Sequence, residues 1–363
     1  LKTTKNREKL DMRTKIMKIA LVVLAVAWPV SGLWAVENNA DTTSLLLARY
    51  IEGNLAAMSN SIKALGEAYV RAYERTPVMP GQEQEKWLAR SSGENRTIIF
   101  RPTATGPEPK FQAPRASYIY YHGKKPTKEA WREFNTFTQV APMFQLAYET
   151  FNDSWVYLTT KEDAFLIYPY LPLGEAVNNG QPTEQIYYKA ADFKNRTFGW
   201  TPPYLDLVGA GMMVTVSYPL FKQDKLLGVI SRDITLTQLA NQALEPVIAS
   251  DSRLICLIMD KNGMAIASSQ DKGMKEIDTV NNEAKTAALY YGRKISDKST
   301  KARLSSIALN NKAGQLTLEA AKSAPGKSLW NFSFKDGDTQ FKSSATQIKA
   351  TGWFVIVLNP VDR

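Results

Sequence analysis

The sequence predicts an α+β fold: one long N-terminal helix followed by two modules, each built on an antiparallel sheet. Three observations predict it. Ile51, Leu55, Met58, Ile62, Leu65 and Tyr69 recur at spacings of four and three, the period of a helix that buries one face. Downstream, β-branched and aromatic runs are joined by short polar turns, as in "SWVYLTTKEDAFLIYPYL" and "MMVTVSYPLFKQDKLLGVISRDI". The same plan restarts in a shorter second half at "RLICLIMDKNGMAIASS".

Taken in order, Asp41, Thr42 and Thr43 offer N-caps for the long helix, which is sustained to about Arg75. Its apolar stripe suits packing on the domain; being heptad-like, it also suits a homodimer seam. From Thr76 to Ser117, Pro77, Pro80, Pro102, Pro107, Pro109 and Pro114 predict loops, with one short strand at "RTIIF". "SYIYYHG" reads as a strand, and "TKEAWREFNTFTQVAPMFQLAYETF" as a helix broken near Pro142. The hairpin around "KEDA" is followed by a short helix at "TEQIYYKAADF", then by two strands joined through "KQDK". "TLTQLANQAL" starts a helix capped by Thr235 or Thr237. In the second half Asn262-Gly263 marks a hairpin, "NNEAKTAALYYG" reads as helical, and three strands follow with turns at Asp336-Gly337 and Thr351-Gly352. Trp330 and Trp353 are expected in the core there.

Composition narrows the function. The net charge is +10, but the first eighteen residues hold seven of the Lys and Arg against Glu8 and Asp11. The body is only mildly basic and carries no basic stripe with interleaved aromatics, so no nucleic-acid partner is expected. The one histidine, His122, and the one cysteine, Cys256 in an apolar run, leave no zinc spacing, no Cys-His pair and no disulfide. Neither a G-x-S-x-G elbow nor a phosphate-binding loop is present. No cofactor, metal or enzymatic activity is expected.

The leader "MRTKIMKIALVVLAVAWPVSGLWAVENNAD" has a basic flank, an apolar run and a Pro/Ser/Gly segment. It reads either as a cleaved export signal or as a retained membrane anchor, and both place the body outside the cytoplasmic membrane, on the side opposite the basic flank. Residues 1 to 11, ahead of Met12, read as upstream sequence.

The order of the long helix, "WVYLTTKEDAFLIYPY", "YYKAADF", "WTPPYLD", "MMVTVSYPLF", "LLGVISRDITL" and a shorter module ending in "TGWFVIVLNP" resembles a double Cache sensor domain. That family is the extracytoplasmic ligand-binding unit of bacterial chemoreceptors, histidine kinases and cyclases. The resemblance spans about residues 41 to 360 and is strongest from Trp155 to Leu239. It implies two PAS-like modules and the following organisation: residues 1–36 signal peptide or anchor, 37–115 long helix and Pro-rich excursion, 116–245 membrane-distal module with the ligand pocket, 246–363 membrane-proximal module. It implies a small-molecule ligand and a membrane signalling partner, in chemotaxis or another signalling pathway. A free-standing exported protein that hands its solute to a membrane partner is the alternative.

In the amino-acid-binding branch of that family, a Tyr-x-Asp pair and a later Asp hold the ligand's ammonium; Tyr204, Asp206 and Asp233 match them. The arginine of an Arg-x-Trp-Tyr motif holds the ligand's carboxylate. Here the segment reads Gln185-Ile186-Tyr187-Tyr188, so bidentate capture of a carboxylate is lost. The expected ligand is therefore amine-bearing or amino-acid-like, and Arg196 or Lys189 could compensate for the missing cation from a different direction.

The residues support that chemistry on their own. Pro202 and Pro203 hold an extended backbone, so Tyr204 and Asp206 point together with Leu205 opposite. On "LLGVISRDI", Val229, Ser231 and Asp233 share one face while Ile230, Arg232 and Ile234 share the other. Two carboxylates in a desolvated cleft raise each other's pKa, and an ammonium relieves the repulsion. Rings from Tyr188, Tyr204 and Trp200 would add cation–π attraction. Structural roles remain open beside these: Asp233 as a helix-start carboxylate, Asp206 as a turn acid, Trp200 as core. A glycosidase dyad is the enzymatic alternative, without the exposed tryptophans that a sugar site uses.

Overall fold

The computed structural model describes residues 40–94, 97–100, 116–122, 125–151, 155–169, 180–206, 211–284, 288–293 and 302–361. The leader and most of the Pro-rich excursion lie outside them. Residues 40–363 form one compact unit. Among the described residues no helix is long and apolar enough to cross a membrane.

Helix α1 (Ala40–Arg75) follows from its apolar period, with Asp41 in the first turn and Arg75 in the last to complement the helix dipole. Its stripe is spent inside the molecule. Ile62, Leu65, Tyr69 and Tyr73 pack into the core of a first sheet. Leu47, Ile51, Leu55 and Met58 join a second core that also holds residues of the other sheet. The heptad-like face expected to serve a dimer seam is therefore buried within the chain, because two sheets compete for it. A homodimer through α1 would have to use its other face.

Two corrections concern helices before the first hairpin. The stretch expected to be loop contains α2 (Gly81–Ala89), which starts after Pro80 and buries Trp87 against Phe100 and Phe134. Nine residues with one buried side chain leave too little periodicity to read. Helix α3 (Lys128–Phe151) runs through Pro142 without a break. Pro142 and Thr138, whose carbonyl loses its donor, are both exposed, so that turn of the helix is open to water.

The first sheet pairs, in spatial order, β1 (Ser91–Glu94), β2 (Thr97–Phe100), β3 (Ser117–Tyr120), β5 (Ala164–Tyr168), β4 (Val156–Thr160), β9 (Lys225–Thr235), β8 (Met212–Lys222) and β6 (Gly199–Trp200), with β7 (Tyr204–Leu205) also on β8. Every ladder in it is antiparallel. Thr235 then caps α5 (Leu236–Ser250) in a capping box with Gln238, as one of the two expected caps.

The second sheet orders β11 (Ala265–Ser268), β10 (Ile255–Met259), β16 (Phe354–Val361), β15 (Thr339–Gln347) and β14 (Leu329–Asp336). Gly263, with φ +85°, turns the expected hairpin, and Cys256, Trp330 and Trp353 are buried as expected. The helix expected over 281–292 is displaced. The helix α6 is Asp271–Ala284, anchored by Ile277 and Val280, and Ala288–Tyr290 is the strand β12, paired with β13 (Ala302–Leu304). Leu289 and Tyr291 are buried while Tyr290 between them is not, which is the alternation of a strand. Helix α7 (Ala308–Ser323) covers this part of the second core.

Close packing of β9 on β4 gives a direct test. A Cβ on Gly228 would lie 2.3 Å from Thr159 O and 2.8 Å from Thr160 Cα, both backbone atoms. Gly228→Ala is expected to cost about 1–3 kcal/mol in urea unfolding. Gly53→Ala, on the exposed face of α1 with nothing within 4 Å of the new carbon, is expected to add about 0.5–1 kcal/mol.

Candidate functional site

Strand β9 fixes the site because it is paired on both edges. Val216 and Val156 both sit opposite Arg232, while Thr215 is opposite Asp233 and Tyr157 opposite Ser231. Alternation then sorts the side chains. Val156, Leu158, Val216 and Ile230 face α1 and α3. Tyr157, Thr215, Ser217, Ser231 and Asp233 face the other way.

On that second face Asp233 is buried, 4% exposed. Its Oδ1 accepts from Tyr157 Oη at 2.8 Å and from Thr215 Oγ1 at 2.6 Å. Since Thr215 spends its one hydrogen on the carboxylate, Tyr204 Oη donates to Thr215 Oγ1, at 2.7 Å. Ser217 and Ser231 form a further hydroxyl pair at 2.9 Å. Asp233 thus sits in a layer of neutral hydroxyls. Among the described residues no lysine or arginine side chain hydrogen-bonds to it.

The cover over this face is the chain from Pro182 to Leu205. A 3₁₀ turn (Pro182–Glu184), favoured by Pro182 at its first position, leads through Gln185 into the single helical turn α4 (Ile186–Lys189). Tyr187 places its ring edge-on to Tyr157, with centroids 5.1 Å apart, and its carbonyl accepts from Ser217 Oγ at 2.6 Å. After Pro202 and Pro203 the chain enters β7, where Tyr204 pairs with Met213 and so shares the face of Thr215 and Asp233.

Burial is the main force on the carboxyl of Asp233, pushing its pKa up to about 7. The hydroxyl bonds from Thr215 and Tyr157 pull it down, the charge of Asp206 raises it, and Arg232 on the reverse face lowers it. Burial likewise raises the phenols of Tyr157, Tyr187 and Tyr204, and the charge of Asp233 raises each further. Asp206 is half-buried and donates its backbone N–H to Gly211 O at 2.9 Å.

The structure brings Tyr204, Asp233 and Tyr187 together and sets Asp206 within electrostatic reach. It sorts the other expected residues differently. Tyr188 packs with Ala191, Val229 and Phe193 one turn away. Gln185 donates its amide to Gln181 O at 3.3 Å. Trp200 is a correction: it pairs with Val216, so it shares the helix-facing side, and its ring meets Trp353 of the second sheet at 6.4 Å. That is the core role open to it in the sequence.

Arg196 is corrected too. It holds Gln223 O and Asp224 at 2.9 and 2.7 Å and stacks over Phe221, beside a surface groove of about 230 Å³ between α1 and β8. Lys189 is exposed. Tyr157 and Thr215 were not expected at the site. Their signal was parity: each is a hydroxyl residue between two apolar neighbours on a strand.

Comparison with known proteins places the chain among sensor-domain sequences. Residues 95–241 match the sequence model described as methyl-accepting chemotaxis protein-like, first PDC sensor domain. The methyl-accepting chemotaxis protein McpC of Bacillus subtilis (strain 168) is 27% identical over 160 residues, covering 43% of this chain. The matched part spans only 23% of that protein's length. Among solved structures, the ligand-binding domain of the Pseudomonas aeruginosa PAO1 amino acid chemoreceptor PctB in complex with L-Arg is 10% identical, covers 88% of this chain and 92% of its own, and has a TM-score of 0.44. The ligand-binding domain of the Pseudomonas fluorescens chemoreceptor CtaA in complex with L-alanine is 16% identical, covers 62% and 80%, and has a TM-score of 0.39. The part of the chain that bears Asp233, residues 95–241, is thus similar in sequence to the first PDC sensor domain of methyl-accepting chemotaxis protein-like receptors.

Proposed function

We propose that this chain is the extracytoplasmic sensing part of a chemotaxis-type signalling protein, and that the face under Tyr187 takes a small amine-bearing solute. The observation that carries the reading is the environment of Asp233: a buried carboxyl held by two neutral hydroxyl donors. A buried carboxylate without a cation is costly, which is why Asp233 keeps its proton to about pH 7. An ammonium beside it supplies the missing charge, favours loss of the proton and donates to the carboxylate without displacing the Tyr157 and Thr215 donors. Tyr157, Tyr187 and Tyr204 supply aromatic surface for the solute's carbon chain. Asp206 adds a second negative charge within electrostatic reach of Asp233. The basic, then apolar leader supports an outward location for the body, anchored or released.

The test is a thermal-shift and calorimetry panel of ethylamine, ethanolamine, putrescine, L-alanine, acetate and a neutral sugar. Amines are expected to raise Tm; a response confined to acetate or the sugar would overturn the reading. Affinity for the active amine is expected to rise about tenfold between pH 6 and pH 8, as Asp233 becomes ionised. Asp233→Asn is expected to weaken it about 100-fold and to flatten that profile.

Stability without solute has the opposite slope. The folded pKa of Asp233, about 7, lies above the ordinary unfolded value near 4. Its contribution is therefore fully present below about pH 4 and lost as pH rises through about 7. In urea unfolding, wild type minus Asp233→Asn is expected to decline by a few kcal/mol between pH 4 and pH 8, and a flat difference would contradict the assignment.

A further inference from the structure

We propose that Asp163 is the latch of the aromatic wall: its bonds to Thr183 hold the segment Gln181–Ala190 over the ligand face and set how readily that segment opens. The proposal rests on the sensing function above for what enters, and on separate bonds for how entry is controlled.

A passage is needed because the site is shut. Asp233 and Tyr157 are 4% and 2% exposed, and Ser231 beside them is 1% exposed. One side of this layer is the β-ladder itself, which cannot part without unfolding the sheet. The other side is the wall, and the wall forms no ladder with the sheet. Within Gln181–Ala190 the backbone bonds are local turns and the α4 helix. Among the described residues two anchors tie it down: Ser217 Oγ to Tyr187 O, and Asp163 to Thr183. The cover with the fewest bonds is the element that opens first.

The Asp163 anchor is the stronger of the two. Its Oδ1 accepts from Thr183 Oγ1 at 2.8 Å and from Thr183 N at 3.3 Å. Its Oδ2 lies 3.2 Å from Nε2 of His122, the chain's one histidine. Bonds to a carboxylate are stronger than the hydroxyl-to-carbonyl bond at Ser217. Asp163 is also placed for the task. It sits in the β4–β5 turn with φ +57°, a conformation aspartate tolerates, and Tyr121 N donates to its carbonyl at 3.2 Å. The latch is thereby fixed to two strands of the sheet, while Thr183 lies four residues before Tyr187 on the moving part. Releasing Thr183 frees the wall at its leading end and leaves the sheet untouched.

The experiment uses thiol labelling of the full chain. Ser231→Cys places a thiol beneath the wall; native Cys256, fully buried in the second sheet, reports global opening in the same sample. Thr183→Val removes the hydroxyl donor, and Asp163→Gly removes the carboxylate at a φ that glycine accepts. Both are expected to speed labelling at position 231 about tenfold at an unchanged Cys256 rate. Asp163→Asn, which keeps a neutral acceptor for Thr183, is expected to label at a rate between those of the parent and Asp163→Gly. Unchanged rates at position 231 in both variants, or a rise shared equally by Cys256, would overturn the latch. So would Asp163→Asn behaving like Asp163→Gly. No solute enters the measurement, so its outcome is separate from that of the amine panel.

Discussion

Strand β9 is laddered on both edges, and that double pairing forces consecutive residues onto opposite faces of the first sheet. Asp233 is driven into the hydroxyl layer. Arg232, its neighbour, is driven into the helix side, where it is 1% exposed, donates to Ala147 O at 3.0 Å and lies over the ring of Phe151 at 4.4 Å. One strand thus joins the buried carboxyl of Asp233 to the end of α3 through a single peptide unit. A register slip of one residue would bury Arg232 among the tyrosines and send Asp233 into the apolar core. Both outcomes leave a buried charge without its partners, so the register is held by electrostatics as well as by packing.

The same helix side explains why two sheets form one compact unit. α1 is long enough to span both, and its two halves enter different cores. Near its start, Ser44 lies 2.7 Å from Ser344 Oγ and 2.9 Å from Thr346 Oγ1, all three buried. These hydroxyls satisfy one another where an apolar contact would allow sliding, so the helix is registered on the second sheet as well as attached to it. A displacement of the first sheet against α1 is therefore passed to the second sheet by a rigid element with contacts at both ends.

Much of this was legible in the sequence, for identifiable reasons. The α1 stripe, the "KEDA" and "KQDK" hairpins and the Thr235 cap are local signals, set by spacing and turn chemistry within a few residues. The face assignment of Asp233 against Arg232 followed from strand parity alone. What was not legible depended on partners distant in sequence. Trp200 reads as a ring beside an acid until β6 is known to pair with β8, which turns it toward Trp353. Pro142 reads as a helix break until its turn is known to face water. Tyr157 and Thr215 read as ordinary strand residues until the ladder sets them beside Asp233. The shift of α6 has a different cause: "ALYYG" carries both helix-forming and strand-forming residues, and burial of Leu289 and Tyr291 decides it.

The replacement of an expected arginine by Gln185 bears on the amine reading proposed for this face. Its amide is already engaged with Gln181 O, and Arg196 is occupied at Asp224 and Gln223. Among the described residues, a zwitterion placed with its ammonium at Asp233 would find tyrosine hydroxyls, not a guanidinium, for its carboxylate. Two of those hydroxyls already donate elsewhere, Tyr157 to Asp233 and Tyr204 to Thr215. Redirecting either one would strip a donor from the hydroxyl layer that holds the acid. The gain of one hydrogen bond to a charged group, about 1.5–3 kcal/mol, does not offset the several kcal/mol needed to bury a carboxylate without a cation. The plain amine of the proposed reading avoids that cost, since its far end is carbon and the wall offers rings.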